Sequence, residues 1–352
     1  MVTGGRSRTK PLSVFPGAAY ACHGDGLCCT DVHVLGPLVP AEARALRKIS
    51  PAVLVGSAKD PDGQGPALRT TDEGACVFLG RDRCELHAAL GAAAKPSFCQ
   101  RFPLFLTATP AGGRIASQHR CPCRTVGPRP PLEAERAAAS LRNAGGRLHA
   151  DHRVPPLIPV GRKGKATFED WLALEERLLA GIRRGEGVAA TLEVDLLPAL
   201  RGPRCWKDVE AELFEDADDV DTRFGAAMAW FAHGLRRLRR RRGNGGKSPP
   251  FHRRPWAPAF DRAEARGEPT TDRAEDLIRE WVAESIWSMA WAEASTFHVT
   301  RHDLAIRSAV AWEIARTLLA EGVRPDRAGA EALTVVELVG TSDWWGDVVE
   351  AT

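Results

Sequence analysis

Eight of the nine cysteines in this 352-residue chain fall between Cys22 and Cys123, and Cys205 is the ninth. An odd number cannot all pair off as disulfides within the chain. A chain of this length also has no need of the disulfide framework with which small secreted domains replace a core. In a reducing compartment, thiols gathered in this way serve as ligands or nucleophiles. The first third of the chain must therefore fold so that separate segments bring sulfur to common places.

The densest segment is Cys22-His23-Gly24-Asp25-Gly26-Leu27-Cys28-Cys29, followed by Cys76, Cys84, Cys99, Cys121 and Cys123. Neighbouring residues rarely reach the Cα separation and Cβ orientation of a disulfide, so Cys28 and Cys29 look to different partners. The flanking glycines let the backbone take conformations that other residues avoid, which turns several sulfurs toward one point. Thiolates are soft ligands and select zinc, iron–sulfur clusters or copper(I) over magnesium or calcium. Eight of them can supply two four-coordinate centres, or one cluster with the remainder buried or redox-active. The candidate metal ligands are Cys22, Cys28, Cys29, Cys76, Cys84, Cys99, Cys121 and Cys123. His23, His33, His87 and His119 lie near them and offer imidazole nitrogens as ligands or as hydrogen-bond partners. Cys205, alone in the remaining two thirds, reads as an inert buried thiol outside the site.

The hydrophobic share of 44% and charged share of 26% are those of a water-soluble globular protein. Two units are expected: a loop-rich cysteine-cluster metal-binding domain over 1–126 and an α-helical domain over 132–352, divided at the proline-rich stretch 127–131. The fold class is mainly α. In the first unit, Pro40 opens a helix over 40–48, and the apolar runs 75–79 and 102–107 are short strands. In the second, Thr167 with Asp170, Asp272 with Glu275 and Thr300 with Asp303 read as capping boxes, each followed by apolar residues at helical spacing. Trp281, Trp287, Trp291, Trp344 and Trp345 read as core packing.

The net charge is only +3 and both signs are interleaved, so no protein-wide field points to nucleic acid or an anionic membrane. Arg236, Arg237, Arg239, Arg240, Arg241 and Arg242 close a helix beginning near Thr222, where the macrodipole stabilises cations. No stretch of about twenty apolar residues is present. The basic, apolar start of the chain is broken by Pro11 and Pro16 and lacks the hydrophobic segment of a signal peptide, so a cytoplasmic location is expected, with no membrane partner. Phosphate-cradling and dinucleotide-binding glycine motifs are missing as well.

The string Cys22 to Cys29, Cys76-Val-Phe-Leu-Gly with Cys84-Glu-Leu-His87, Lys95-Pro96-Ser97-Phe98-Cys99-Gln100-Arg101-Phe102-Pro103 and Cys121-Pro122-Cys123 resembles the YkgJ-type CxxCxxCC family. That family is described as a zinc- or iron-chelating domain and includes flagellin lysine N-methylases. The resemblance covers roughly the first 125 residues. It implies a metal-binding protein that holds an iron–sulfur cluster (4Fe-4S) or zinc. It also raises a second reading, an S-adenosylmethionine-dependent protein-lysine N-methyltransferase acting on a protein substrate, and a third, metal storage or delivery. No catalytic residue can be nominated from it. The chain departs from the pattern at two positions: Asp25 stands where the family motif has its second cysteine, and Cys123 where members often have glycine.

Overall fold

The computed structural model describes residues 10–352 except 23, 34, 57–64, 73, 81–82, 144–145, 219–221, 241–252 and 266–271. Helices account for 54% of it, so the protein is mainly α, with small sheets. Its apolar residues gather into two cores, a small one around the cysteines and a large one that fills the rest.

The small core is built on the helix Pro40–Ile49, which starts where the sequence places it. Proline at the first helical position gives up an N–H that has no intrahelical partner. The Glu42 carboxylate accepts from Val39 N at 3.2 Å and from Ser97 N at 2.7 Å, which ties this helix to the short helix Ser97–Arg101. Ala43 and Leu46 on its inner face pack with Leu35, Leu38, Val53, Leu68, Phe78 and Leu86, and Cys29 and Cys76 are members of the same cluster. The run 75–79 does not become a strand. Leu79 N turns back onto Cys76 O at 2.8 Å, and only isolated bridges form, Ala75 to Thr30, Cys76 to Thr70 and Leu79 to Cys84. The turn closed by the bond from Leu79 to Cys76 falls inside the run and ends extension after Cys76.

The run 102–107 does supply a strand, Leu104–Thr109, one end of a tight hairpin with Gly112–Ser117. The sheet order is Leu12–Val14, Gly112–Ser117, Leu104–Thr109, His152–Arg153, with both outer strands parallel to their neighbours. Its inner face joins the large core: Leu104, Leu106 and Ile115 cluster with Trp171, Phe231, Trp281 and Ile286 from the helices. Val126 and Leu132, on either side of 127–131, both belong to this core.

The helical body contains Phe168–Arg183, Trp206–Asp218, Arg223–Arg240, Ala274–Ser288, Phe297–Ala320, Pro325–Gly340 and Asp343–Glu350. The first opens on the expected capping box, with Asp170 N donating to Thr167 Oγ1 at 3.1 Å and Thr167 N to Asp170 Oδ2 at 3.3 Å. Two other helix starts differ from expectation. Ala274–Ser288 is capped by Arg273 and Asp276, one residue later than Asp272 with Glu275, because the Asp272 carboxylate is engaged by Arg129 at 2.5 Å. Phe297–Ala320 begins a turn before Thr300: Thr296 Oγ1 accepts from Val299 N, and Thr300 Oγ1 donates back to Thr296 O at 3.0 Å. Burial of the Phe297 ring against Trp171 extends the helix to that earlier cap.

Arg223–Arg240 crosses Phe297–Ala320 at Gly234, where a Cβ would lie 2.7 Å from Val310 Cγ1, so only glycine allows the approach. The arginines at its end do more than complement a dipole. Arg236 and Arg239 pair with Glu210, and Arg237 with Glu313 at 3.3 Å, which clips three helices together. Arg241, Arg242 and the loop 243–250 lie outside the described residues. The tryptophans pack as expected, and several direct their indole N–H to a carboxylate: Trp171 to Glu175 at 2.9 Å, Trp281 to Glu337 at 2.9 Å and Trp345 to Asp303 at 2.7 Å. Among the described residues, no helix is long and apolar enough to cross a membrane.

Candidate metal centre

The glycines of the first cysteine segment do what their spacing requires. Gly26 sits at φ +81°, in the left-handed region, and starts a single 3-10 turn over Leu27–Cys29. Asp25 Oδ1 accepts from Leu27 N at 2.8 Å and fixes the turn from the other side. Cys29 is thereby buried in the small core while Cys28 stays half-buried beside it. Cys76 N donates to Cys29 O at 2.7 Å, which brings the second cysteine segment alongside the first. Cys84 caps the helix Glu85–Leu90, and Cys99 lies on Ser97–Arg101. Cys28, Cys29, Cys76, Cys84 and Cys99 line, with Lys95 and apolar residues of the small core, a cavity of about 10 Å³, the room of one water molecule or one ion.

The remaining three predicted ligands form a second group. Cys121 stands at the start of the helix Pro122–Thr125 and Cys123 inside it, both buried, and Cys22 approaches from the surface. Cys123 Sγ donates to Asp25 Oδ2 at 2.6 Å, and Asp25 is 3% exposed. The carboxylate at the departure from the family motif thus meets the extra cysteine. Arg262 Nε holds the Asp25 carbonyl oxygen at 2.7 Å. Cys28 acts electrostatically on both groups: it raises Cys29 and Cys99 in the first, and Cys121 with the neighbouring Tyr20 in the second.

Acidities within the groups are unequal. A hydrogen bond from Cys123 lowers Cys22 to about 6 against the effect of burial, and one from Cys29 lowers Cys84 to about 6 in the same way. Cys29 is pushed up by its hydrogen bonds to Cys28 and Cys84 and then by burial. Cys123 is pushed up by those to Cys121 and Cys22 and then by burial. Burial raises Cys76, Cys99 and Cys121. Cys22 and Cys84 are thereby the more acidic thiols, while Cys29, Cys76, Cys99, Cys121 and Cys123 give up their protons more readily when a cation compensates the charge. Burial works to lower Lys95, but the sulfurs of Cys28, Cys99, Cys22 and Cys29 outweigh it and keep the ammonium charged.

The histidines divide differently. His33 packs its ring 4.4 Å from Phe102 and 5.7 Å from Phe98, and burial followed by the charge of Arg120 lowers it to about 3. His87 is exposed on its helix, and His23 lies outside the described residues. Cys205 is exposed rather than buried, since it sits at the surface end of the helix Trp206–Asp218 with its N–H on Asp208 at 2.8 Å.

His119 belongs to another cluster, which the sequence reading missed. With Glu280 and Glu284 it forms a group of three side chains whose ligand atoms all lie within 4.8 Å of one another. Arg124, fully buried, donates from Nη2 to Glu280 at 2.6 Å and to Glu284 at 2.8 Å, and from Nε to Ser117 Oγ at 2.6 Å. Burial raises Glu284 against the pull of Arg124. The only signal was a pair of carboxylates, Glu280 and Glu284, one turn apart on a helix that also carries Glu275, Asp276 and Arg279. On its other side Glu284 lines a cavity of about 350 Å³, together with Ser117, Arg120, Trp281, Trp291 and Glu337.

No family model, curated protein or solved structure matches the chain. The resemblance noted above rests on its motif residues.

Proposed function

We propose that the protein is a metal-binding protein whose N-terminal thiolates hold zinc or an iron–sulfur cluster. The observation that carries this reading is the arrangement of Cys28, Cys29, Cys76, Cys84 and Cys99, drawn from four segments around one ion-sized cavity beside a half-buried lysine. Sulfur donors of this kind suit zinc and iron and suit hard cations poorly. Cys28, Cys29, Cys76, Cys84 and Cys99 would hold the metal in the first group, and Cys22, Cys121 and Cys123, with Asp25 as an oxygen donor, in the second. Lys95 offsets part of the thiolate charge, and the apolar side chains of the small core cover Cys29 and Cys76. Bound metal would add folding free energy to a region with a small core of its own. Anaerobic purification followed by absorption spectroscopy tests the reading. Broad visible absorption lost on oxidation indicates iron–sulfur, a colourless protein with stoichiometric zinc indicates a zinc centre, and a metal-free folded protein removes the proposal.

The methyltransferase reading has one observation in its favour. The 350 Å³ cavity falls in the range of small-molecule sites, and Arg120 on its wall is the residue before Cys121. Calorimetric titration with S-adenosylmethionine decides it, since absence of binding to the metal-loaded protein excludes that cofactor.

A further inference from the structure

We infer that His119, Glu280 and Glu284 form a second cation site, chemically distinct from the cysteines and suited to a divalent ion of the manganous or ferrous class. The inference does not depend on the thiolate reading, because imidazole and carboxylate donors select a different kind of ion from sulfur.

Four observations converge on it. The ligand atoms of the three residues already lie within 4.8 Å of one another. His119 is 1% exposed, and although its ring lies beside the Ser117 carbonyl, neither nitrogen reaches hydrogen-bond geometry. A buried imidazole left in that state is costly unless something else takes its lone pair. Its Nε2 faces Glu284 Oε2 at 3.4 Å, so a cation between them would satisfy both atoms. The charge balance points the same way. Glu280, Glu284 and Asp272 face the two guanidiniums of Arg124 and Arg129, which leaves one negative charge uncompensated.

The surroundings are those of a supported site. Ser117 donates to Glu284 Oε1 from its N–H at 2.8 Å and from its hydroxyl at 2.9 Å, which orients the carboxylate as outer-shell partners of metal ligands do. With Ser117 on Oε1 and Arg124 on Oε2, Glu284 keeps a lone pair on Oε2, the atom that faces His119, and Glu280, bonded by Arg124 through Oε1, keeps its Oε2. The Glu280 side chain is 27% exposed and gives the ion a path from solvent and room for bound water. Because Glu284 also lines the 350 Å³ cavity, the ion would stand at the wall of a pocket large enough for a small molecule.

The probe is manganous chloride added to the full-length protein with its thiolate metal left in place. Electron paramagnetic resonance should show one tightly bound Mn²⁺ per chain, and pulsed measurements should show coupling to a single ¹⁴N. Glu280→Gln, at the exposed edge of the cluster, and His119→Asn should each weaken binding by roughly tenfold or more, and His119→Asn should also abolish the nitrogen coupling. Should His119→Asn fail to fold, the wild-type nitrogen coupling and Glu280→Gln decide the matter. The inference is overturned by no binding at about 1 mM Mn²⁺, by bound Mn²⁺ without nitrogen coupling, or by unchanged affinity in Glu280→Gln.

Discussion

Replacing Arg124 by Met keeps an aliphatic stem in place and removes the guanidinium that Glu280 and Glu284 share. Arg124 is 0% exposed and Glu284 is 1% exposed, so Glu284 cannot turn to water to recover its loss. Removing one partner of a buried ion pair costs about 3–5 kcal/mol, because the other charge is left uncompensated. Glu280, partly exposed, can reorient, so the expected cost lies near the lower end, about 3 kcal/mol. The pH dependence has a definite sign. Burial already raises the Glu284 carboxyl, and without Arg124 its folded value rises further above the unfolded one. The penalty is then full above the folded value and shrinks as pH falls toward the unfolded value. Urea unfolding followed by tryptophan fluorescence at pH 7 and pH 5, with no divalent cation added, measures both effects. Arg124→Met should lose more stability at pH 7 than at pH 5, and Arg124→Met combined with Glu284→Gln should recover at least half of the loss. A loss below about 1 kcal/mol, or no recovery in the double variant, would refute the reasoning.

Three further outcomes are expected. His33, lowered to about 3 by burial, is charged below about pH 6.5 in the unfolded chain only. Its contribution is therefore fully present above that value and is lost as pH falls toward 3. Between pH 7 and 5 wild type should lose about 2 kcal/mol more than His33→Phe, and equal slopes in urea titrations would contradict this. Gly26→Ala places a Cβ at φ +81° and 3.1 Å from Leu79 Cδ1, so it should cost about 1–2 kcal/mol and reduce metal loading measured by mass spectrometry. Cys205→Ser, at an exposed position, should change stability by less than about 0.5 kcal/mol and leave metal content as it was.

Features that depend on local chemistry were legible in the sequence. Pro40 announced its helix, Thr167 and Asp170 theirs, and the tryptophans the core of the helical body. Non-local choices were not legible. The parallel pairing of Leu12–Val14 with Gly113 to Ile115 joins residues about a hundred apart, which no periodicity encodes. Helix starts at Arg273 and Thr296 were decided by where Asp272 and Phe297 find partners elsewhere in the fold.

The same division applies to the site. Composition identified the cysteines, but not how they partition. Cys22 precedes Cys28 by six residues and yet hydrogen-bonds with Cys123, about a hundred residues further on, which no local spacing encodes. Asp25 was visible as a departure from a pattern, and only its 2.6 Å contact gives it a partner in Cys123. Glu280 and Glu284 were hidden because acidic residues in a helix are ordinary until their burial is known.

Elemental analysis of anaerobically purified protein, wild type beside Cys28→Ser/Cys29→Ser, tests the central claim most directly. The account predicts stoichiometric zinc, or iron with acid-labile sulfide, in the wild type, and its loss in the double variant together with faster proteolysis of the first hundred or so residues. Metal-free wild type that resists protease, or the same metal content in both proteins, would contradict it.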